Sequence, residues 1–360
     1  MITSLPWTQK AFKRLQEEPG VPAPGWGLRS LATLASWVYG LAAGGHRRLY
    51  DQGWLQSRRL PAPVLSIGNL TVGGTGKTPL TACLARRFQA SGRQVVILSR
   101  GYGVQIKKVQ VISDRENLLV PFPRAGDEPY LLARQLPGIP VLTGVDRYQA
   151  GLKAWELFRP DLFLLDDGFQ HLPLHRDHDL VLLDASRPFG NGRLLPRGTL
   201  REPLSTLHRP LTLVLTRYQE SRHWRQLETI RAAFPECNLI RALFRHQQVV
   251  SYPRGQALAL DSLVNHKLFA FAGLARPGVF AESLQELGIL PVDYAVFPDH
   301  YPYKLLDIQQ MVSQARQLGA EALITTAKDW VRLPTPWDQE LPLLVLGLEV
   351  ELMDPLPWEP

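Results

Sequence analysis

The chain is poor in sulfur. Of 360 residues, two are cysteine (Cys83 and Cys237) and three are methionine. Neither cysteine belongs to a CxxC pair or a zinc spacing, which excludes a disulfide framework and a cysteine-built metal site. Two reduced thiols of a cytosolic protein are expected. The first twenty residues, MITSLPWTQKAFKRLQEEPG, are too polar for a cleavable signal peptide. No internal period suggests a solenoid, and the 28 glycines and 30 prolines are scattered as turn punctuation rather than as a collagen repeat. Acid is in deficit, with 33 Asp and Glu against 40 Lys and Arg. The resulting formal charge of +7 favours an anionic partner: phosphate, nucleic acid or an acidic membrane leaflet. Composition alone does not choose among them. Apolar residues at 45% and charged residues at 20% describe a globular protein, and the length suits two domains.

What is there begins with an uncharged segment, Ser30 to Gly45. Leu28, Leu31, Leu34, Ala35, Val38, Leu41 and Ala42 recur at helical spacing, with Trp26, Trp37 and Tyr39 among them. Its sixteen residues fall short of the roughly 20 that a span needs. Arg29 precedes it, and Arg47, Arg48, Arg58 and Arg59 follow. Two readings are open: a helix lying in a membrane interface, anchored by aromatics and basic flanks, or a helix packed on the core.

Further on, short apolar runs alternate with helical patterns. PVLSIG (63–68), QVVIL (94–98), 140–143, DLFLL (161–165), LVLLD (180–184) and LTLVLT (211–216) read as strands, with helices at 77–89 and 148–158. This alternation predicts an α/β fold: a doubly wound, mostly parallel sheet covered on both faces. Residues 240–260 look irregular. A second alternating unit follows, with strands at 267–272, 292–297 and 322–326 and helices at 278–287 and 303–318. The division predicted is 1–60 as a membrane-associating helical segment, 61–240 as a P-loop kinase domain, and 241–360 as a smaller α/β domain closing over the cleft. The tail from Pro334 is expected to wrap back onto that smaller domain.

The strand PVLSIG runs into Gly73-Gly74-Thr75-Gly76-Lys77-Thr78 and then a helix. Glycines let successive backbone N–H groups turn in on a phosphate, and the helix start adds its positive end. Lys77 would reach the β- and γ-phosphates of ATP, and Thr78 would ligate Mg²⁺. The usual pattern has a further glycine where this chain has Thr71; Gly73 and Gly74 compensate. After DLFLL comes Asp166-Asp167-Gly168-Phe169-Gln170-His171, carboxylates at a strand end where such folds hold Mg²⁺; Asp-Gly is also a common turn. Gly126-Asp127-Glu128-Pro129, read on its own, is a helix N-cap with first-turn acid. His300, in Pro298-Asp299-His300-Tyr301-Pro302, reads alone as a surface or capping residue and also fits an acid/base partner. His171, His175 and His178 lie close together, but nothing else supports zinc there.

As a set, GNLTVGGTGKTP, LSRGYG, GDEPYLLA, DDGFQH, LLPRGTLREP and FPDHYPY resemble the tetraacyldisaccharide 4′-kinase family of lipid A biosynthesis. The order and spacing match from about residue 26 to 333. One departure is Ala327 in Thr325-Thr326-Ala327-Lys328-Asp329, where the family pattern has an acidic residue. The resemblance implies two α/β/α domains with the site in the cleft between them. It implies transfer of the ATP γ-phosphate to the 4′-hydroxyl of a tetraacylated glucosamine disaccharide 1-phosphate, at the cytoplasmic face of a bacterial inner membrane. Carried over, Asp127 becomes the general base paired with His300, while Lys77 and Thr78 keep their phosphate-loop roles. Asp166 and Asp167 serve Mg²⁺ with Gln170 nearby, and Glu128 supports them from behind. Arg100, Arg147 and Arg201 become phosphate clamps, with Glu202 near metal or substrate. The partners implied are the lipid acceptor and an anionic membrane surface, with no nucleic acid and no obligate protein partner. Two other functions predict different behaviour: a P-loop enzyme on a soluble substrate needs no lipid or detergent, and a membrane-bound nucleotide switch yields no phosphorylated small molecule.

Overall fold

The computed structural model describes residues 26–101, 108–274, 277–334 and 336–358. Tyr102 and Gly103 of LSRGYG and the first 25 residues of the N-terminal segment lie outside these. Nine strands make the larger sheet: β1 (Val64–Asn69), β2 (Val95–Ser99), β3 (Gln110–Ser113), β4 (Val141–Thr143), β5 (Leu162–Asp166), β6 (His178–Asp184), β7 (Thr212–Thr216), β8 (Asn238–Arg245) and β15 (Glu349–Leu352). Their order is β15-β8-β7-β6-β1-β5-β2-β4-β3. All neighbours are parallel except β3 on β4 and β15 on β8 at the two edges.

Side chains alternate across a strand, so a sheet covered on both faces needs apolar residues at every position. The sequence supplies them. Leu65 and Ile67 of β1, with Leu164 of β5, pack with Leu80, Leu84 and Phe88 of the helix Lys77–Ala90. Val64, Phe163 and Leu165 point the other way, onto Ala150 and Ala154 of the helix Arg147–Phe158. Strand β1 pairs with β5 on one side and β6 on the other. The strand order therefore reverses at β1, which opens a crevice at the carboxyl ends of β1 and β5, where such sheets bind ligands.

The smaller sheet is built from β9 (Val249–Tyr252), β10 (Gln256–Leu258), β11 (Leu268–Ala272), β12 (Asp293–Val296), β13 (Ala322–Thr326) and β14 (Leu343–Leu346), in the order β10-β9-β14-β13-β11-β12. Two expectations need correction. The stretch 240–260 is not irregular: it holds most of β8 and all of β9 and β10. Its apolar residues alternate with arginine, glutamine and serine because these strands lie toward the edges, so the pattern lacks the continuous apolar run of a central strand. The tail from Pro334 does not stay with the smaller unit. It gives β14 to the smaller sheet and then β15 to the larger one, and Trp358 packs against the larger core. The chain thus crosses between sheets twice, after β8 and after β14. The crossings touch, with Gly347 N donating to Gln248 O at 3.0 Å and His246 Nδ1 lying 2.8 Å from Gly347 O.

One glycine sets the spacing at the crevice. A Cβ on Gly68 would stand 2.4 Å from Phe169 Cβ and 2.7 Å from its backbone nitrogen. The turn 166–170 can therefore seat directly on β1. Gly68→Ala is expected to displace that turn and to cost about 1–3 kcal/mol of stability. A denaturant midpoint equal to that of the unsubstituted protein would show that the contact is not tight.

Candidate active site

After Asn69 the chain leaves β1 as a loop and re-enters helix at Lys77. Gly73 and Gly76 hold φ of 119° and 93°, in the region that side-chain-bearing residues avoid. At Gly76 there is also no room: a Cβ would fall 2.0 Å from Phe244 Cζ. The loop is tied down from the next strands. Arg217 donates to Gly74 O at 3.0 Å, and Thr216 Oγ1 donates to Thr75 O at 3.1 Å. No side chain caps the helix that begins at Lys77, so its first N–H groups look for an outside acceptor. Thr75 Oγ1 is buried and has no hydrogen-bond partner among the described residues. Thr78, half-buried, stands one residue into the helix.

Charge is concentrated beside this loop. Lys77 Nζ donates to Asn69 Oδ1 at 3.0 Å and lies 3.5 Å from Asp167 Oδ1. Burial pushes its ammonium below the ordinary lysine value, against the pull of Asp167. Asp166 closes β5 and accepts a hydrogen bond from Thr81 Oγ1 at 3.1 Å. Its carboxyl is pushed up to about 7 by burial and by the neighbouring Asp167. In Asp167, burial is outweighed by Lys77 and Arg201, which hold the carboxyl below its usual range. Arg201 reaches Asp167 Oδ1 at 3.2 Å and Gln170 Oε1 at 3.3 Å, while Gln170 Nε2 donates to Asn69 O at 3.0 Å. Adjacent carboxylates are thus driven apart in acidity. Asp167 sits at φ 53°, an uncommon conformation that a surrounding network has to impose.

Two carboxylates and a threonine hydroxyl are hard oxygen donors of the kind Mg²⁺ accepts. A carboxylate as buried as Asp166, 3% exposed, calls for a cation as neighbour. Among the described residues no cluster of three or more His, Cys, Asp or Glu is assembled for a metal.

Asp127 and Glu128 lie in the first turn of the helix Asp127–Gln135, but the cap expected in GDEP is not a side chain: the position before the helix is Gly126, and no side chain caps it. The Asp127 side chain is also met from the other sheet. His300 Nδ1 lies 2.8 Å from Asp127 Oδ2, and Arg332 Nε donates to the same oxygen at 2.5 Å. Burial would raise the Asp127 carboxyl; the hydrogen bond to His300 and the Arg332 charge hold it below the usual range. His300 adopts φ 57°. Glu128 pairs with Lys328 at 3.1 Å and stands close enough to Asp166 to raise its pKa. The Asp127 end of the site is thereby linked to the Asp166 end.

The sequence matches the family model for tetraacyldisaccharide-1-P 4′-kinase over residues 28–358. The chain belongs to that family. Tetraacyldisaccharide 4′-kinases of Geobacter metallireducens and Geobacter sulfurreducens are 40% and 39% identical, each alignment covering 92% of this chain and 96% and 92% of the relative. Among solved structures, the "apo" form of LpxK from Aquifex aeolicus in complex with ATP, at 2.2 Å resolution, is 35% identical with a TM-score of 0.75, covering 90% of this chain and 95% of that one. Membership makes this chain a P-loop kinase of α/β fold.

Not every residue singled out from the sequence joins one constellation. Lys77, Asp166, Asp167, Gln170 and Arg201 form one connected group, and Asp127, Glu128 and His300 a second. Arg147 is buried near His171, its NH1 at 3.4 Å from Nδ1, with its Nε unpartnered among the described residues. Burial and Arg100 lower Arg147 to about 10, and burial and Arg147 lower His171 to about 3. Arg100, exposed at the end of β2, completes this positive corner. Glu202 instead makes a buried pair with Arg47 at 2.6 Å. Asn69, Thr81, Lys328 and Arg332 had no site role in the sequence, and Arg47, expected as a basic flank toward lipid, is instead buried against Glu202. Only Asn69, inside GNLTVGGTGKTP, carried a local signal.

Arg47 is 4% exposed, donates to Phe169 O at 3.2 Å and covers the Phe169 ring. Arg47→Ala strands the Glu202 carboxylate and is expected to cost about 3–5 kcal/mol in equilibrium unfolding. Arg47→Met with Glu202→Met should recover most of that loss. An unaltered unfolding midpoint for Arg47→Ala would contradict the pairing.

Proposed function

We propose that the chain transfers the γ-phosphate of ATP to the 4′-hydroxyl of a tetraacylated glucosamine disaccharide 1-phosphate. The observation that carries this reading is the meeting of Asp127 and His300, brought from different sheets, alongside a glycine loop whose lysine sits among two aspartates. The names of the relatives supply the acceptor.

ATP would lay its phosphates along residues 73–78. Backbone N–H groups and Lys77 take the charge there, and the Lys77 ammonium exchanges Asp167 and Asn69 for phosphate oxygen. Thr78, Asp166 and Asp167 are the residues that would hold Mg²⁺, which when bound offsets negative charge on the phosphates. Arg201 and Arg147, with Arg100 at the mouth, suit phosphate groups of donor and acceptor. Asp127, ionised, is the base, and it meets His300 Nδ1 through Oδ2, so that the histidine can share the proton. The acceptor oxygen attacks the γ-phosphorus as its proton passes to the Asp127 carboxylate, and ADP leaves. Little covalent chemistry is asked of the protein; positioning and charge do most of the work. The base being shared between two units, the acceptor hydroxyl is activated only when both close on it, which limits transfer to water.

Access to the lipid fits the helix Trp26–Asp51. It docks by a narrow face: Ser36 Oγ donates to Leu194 O at 2.9 Å, Tyr39 OH donates to Arg201 O at 2.8 Å, and Arg47 meets Glu202. Leu31, Leu34, Trp37, Val38 and Leu41 are all more than 60% exposed and form an apolar stripe on the far side. No helix among the described residues is long and apolar enough to cross a membrane. We read the stripe as lying in the headgroup region of the inner membrane on its cytoplasmic side, with the 201–202 end of the helix delivering substrate to the site.

Incubation with labelled ATP and the tetraacyl disaccharide 1-phosphate in detergent should give a labelled lipid. Label found only in free phosphate would exclude the kinase reading, and full activity on a water-soluble acceptor alone would favour the soluble-substrate one. Asp127→Asn should lower kcat by about 10²–10⁴-fold with ATP affinity unchanged; loss of ATP binding instead would move Asp127 to the nucleotide. Leu34→Gln with Leu41→Gln should reduce partition onto phosphatidylglycerol vesicles by about tenfold or more per residue, at about 1.5–3 kcal/mol for each leucine. Undiminished partition would leave the stripe without a membrane role.

A further inference from the structure

The TTAKD segment departs from the family pattern at Ala327, yet the short helix that it forms, Ala327–Trp330, docks on the helix Asp127–Gln135. Three contacts make the seat. Lys328 pairs with Glu128 at 3.1 Å, the Arg134 guanidinium covers the Trp330 ring at 3.8 Å, and Arg332 reaches Asp127. Each joins a residue of the larger-sheet unit to one of the smaller.

Arg332 differs from the other two in being 3% exposed and already fixed within its own unit. Its NH1 donates to Gly273 O at 2.9 Å and lies 3.4 Å from Asp329 Oδ1. Asp329 is fully buried and held in turn by Gly273 N at 2.8 Å, Tyr303 OH at 2.9 Å and Thr326 Oγ1 at 2.7 Å. This leaves Nε of Arg332 projecting across the cleft to the Asp127 oxygen that also meets His300. Asp127 Oδ1 makes no hydrogen bond among the described residues.

We infer that Arg332 is the positioning residue of the acceptor end: it latches the two units together through Asp127 and sets that carboxylate so that one oxygen serves His300 and the other faces the acceptor hydroxyl. The inference rests on the assignment of Asp127 and His300 to hydroxyl activation. A planar guanidinium can hold a carbonyl, a buried carboxylate and Asp127 together; an ammonium is a point charge that cannot span all three. The groups facing Asp127 are His300 and Arg332 from the smaller unit, with Glu128 and Lys328 alongside.

The test is kinetic, on the full chain with ATP and the lipid acceptor. Arg332→Lys and Arg332→Gln should each lower kcat by roughly 10²-fold, the effect of a small misplacement of a reacting group, while KM for ATP stays the same. In the Arg332→Gln protein the acidic limb of the kcat/KM profile should move to higher pH, because the charge that kept Asp127 ionised is gone. On an Asp127→Asn background neither change should lower kcat further. A fall in unfolding midpoint with the acidic limb unmoved would make Arg332 structural only and overturn the inference. So would normal turnover in either Arg332 protein. If both fail to fold, Lys328→Met at the more exposed edge of the seat decides: a smaller loss of kcat supports the latch, and unchanged kcat overturns it. Wild-type turnover in Asp127→Asn would instead defeat the base assignment itself, whereas an inactive Asp127→Asn beside active Arg332 variants defeats only the latch.

Discussion

A half-buried lysine ammonium at the helix start after β1, beside two aspartates at the carboxyl end of the neighbouring parallel strand β5, is the constraint around which the rest is arranged. Burial makes every charge there expensive unless it has a partner. Lys77 is held by Asn69 and Asp167, Asp167 by Arg201, and Arg201 by Gln170. Such a cluster has its charges in place before a nucleotide arrives. A triphosphate entering it exchanges partners with groups already oriented, so less reorganisation is left for the moment of transfer. The apolar strands beneath exist, in this sense, to keep the cluster still.

The second sheet supplies what the first lacks. His300, Lys328 and Arg332 all come from the smaller unit and all meet the helix that begins at Asp127. Because the chain crosses between sheets twice, through adjoining segments near 246–248 and 347, the units are joined by a paired strap rather than a single tether. A paired strap suits bending in one direction better than free rotation. The N-terminal helix docks on the larger unit alone. It reaches the loop 201–202 from outside, so the helix that would meet lipid and Asp167 are two hydrogen bonds apart.

Much of the fold was legible because the central strands are buried on both faces and therefore read as continuous apolar runs: VLSIG, VVIL, LFLL and LVLL each stand where expected. The edge strands did not, since β8 to β10 mix apolar residues with Arg, Gln and Ser, and their pairing depends on neighbours distant in the chain. The phosphate loop was legible for a local reason: glycines, lysine and helix start are consecutive. GDEP was ambiguous for the opposite reason, because a helix-opening aspartate looks the same whether it faces solvent or a histidine 173 residues later. Arg332 was invisible. An arginine becomes a strut only through what it meets in space, and its partners Asp127, Gly273 and Asp329 occupy three different segments.

The claim that Lys77 answers to a terminal phosphate is tested most directly by equilibrium binding of ATP and of adenosine to the unsubstituted protein and to Lys77→Met, at fixed Mg²⁺ and salt. ATP should bind far more tightly than adenosine, and most of that preference should vanish in Lys77→Met while adenosine binding is untouched. If Lys77→Met kept the full preference for ATP, the ammonium would be serving the fold alone, and the phosphate cradle would have to be sought elsewhere.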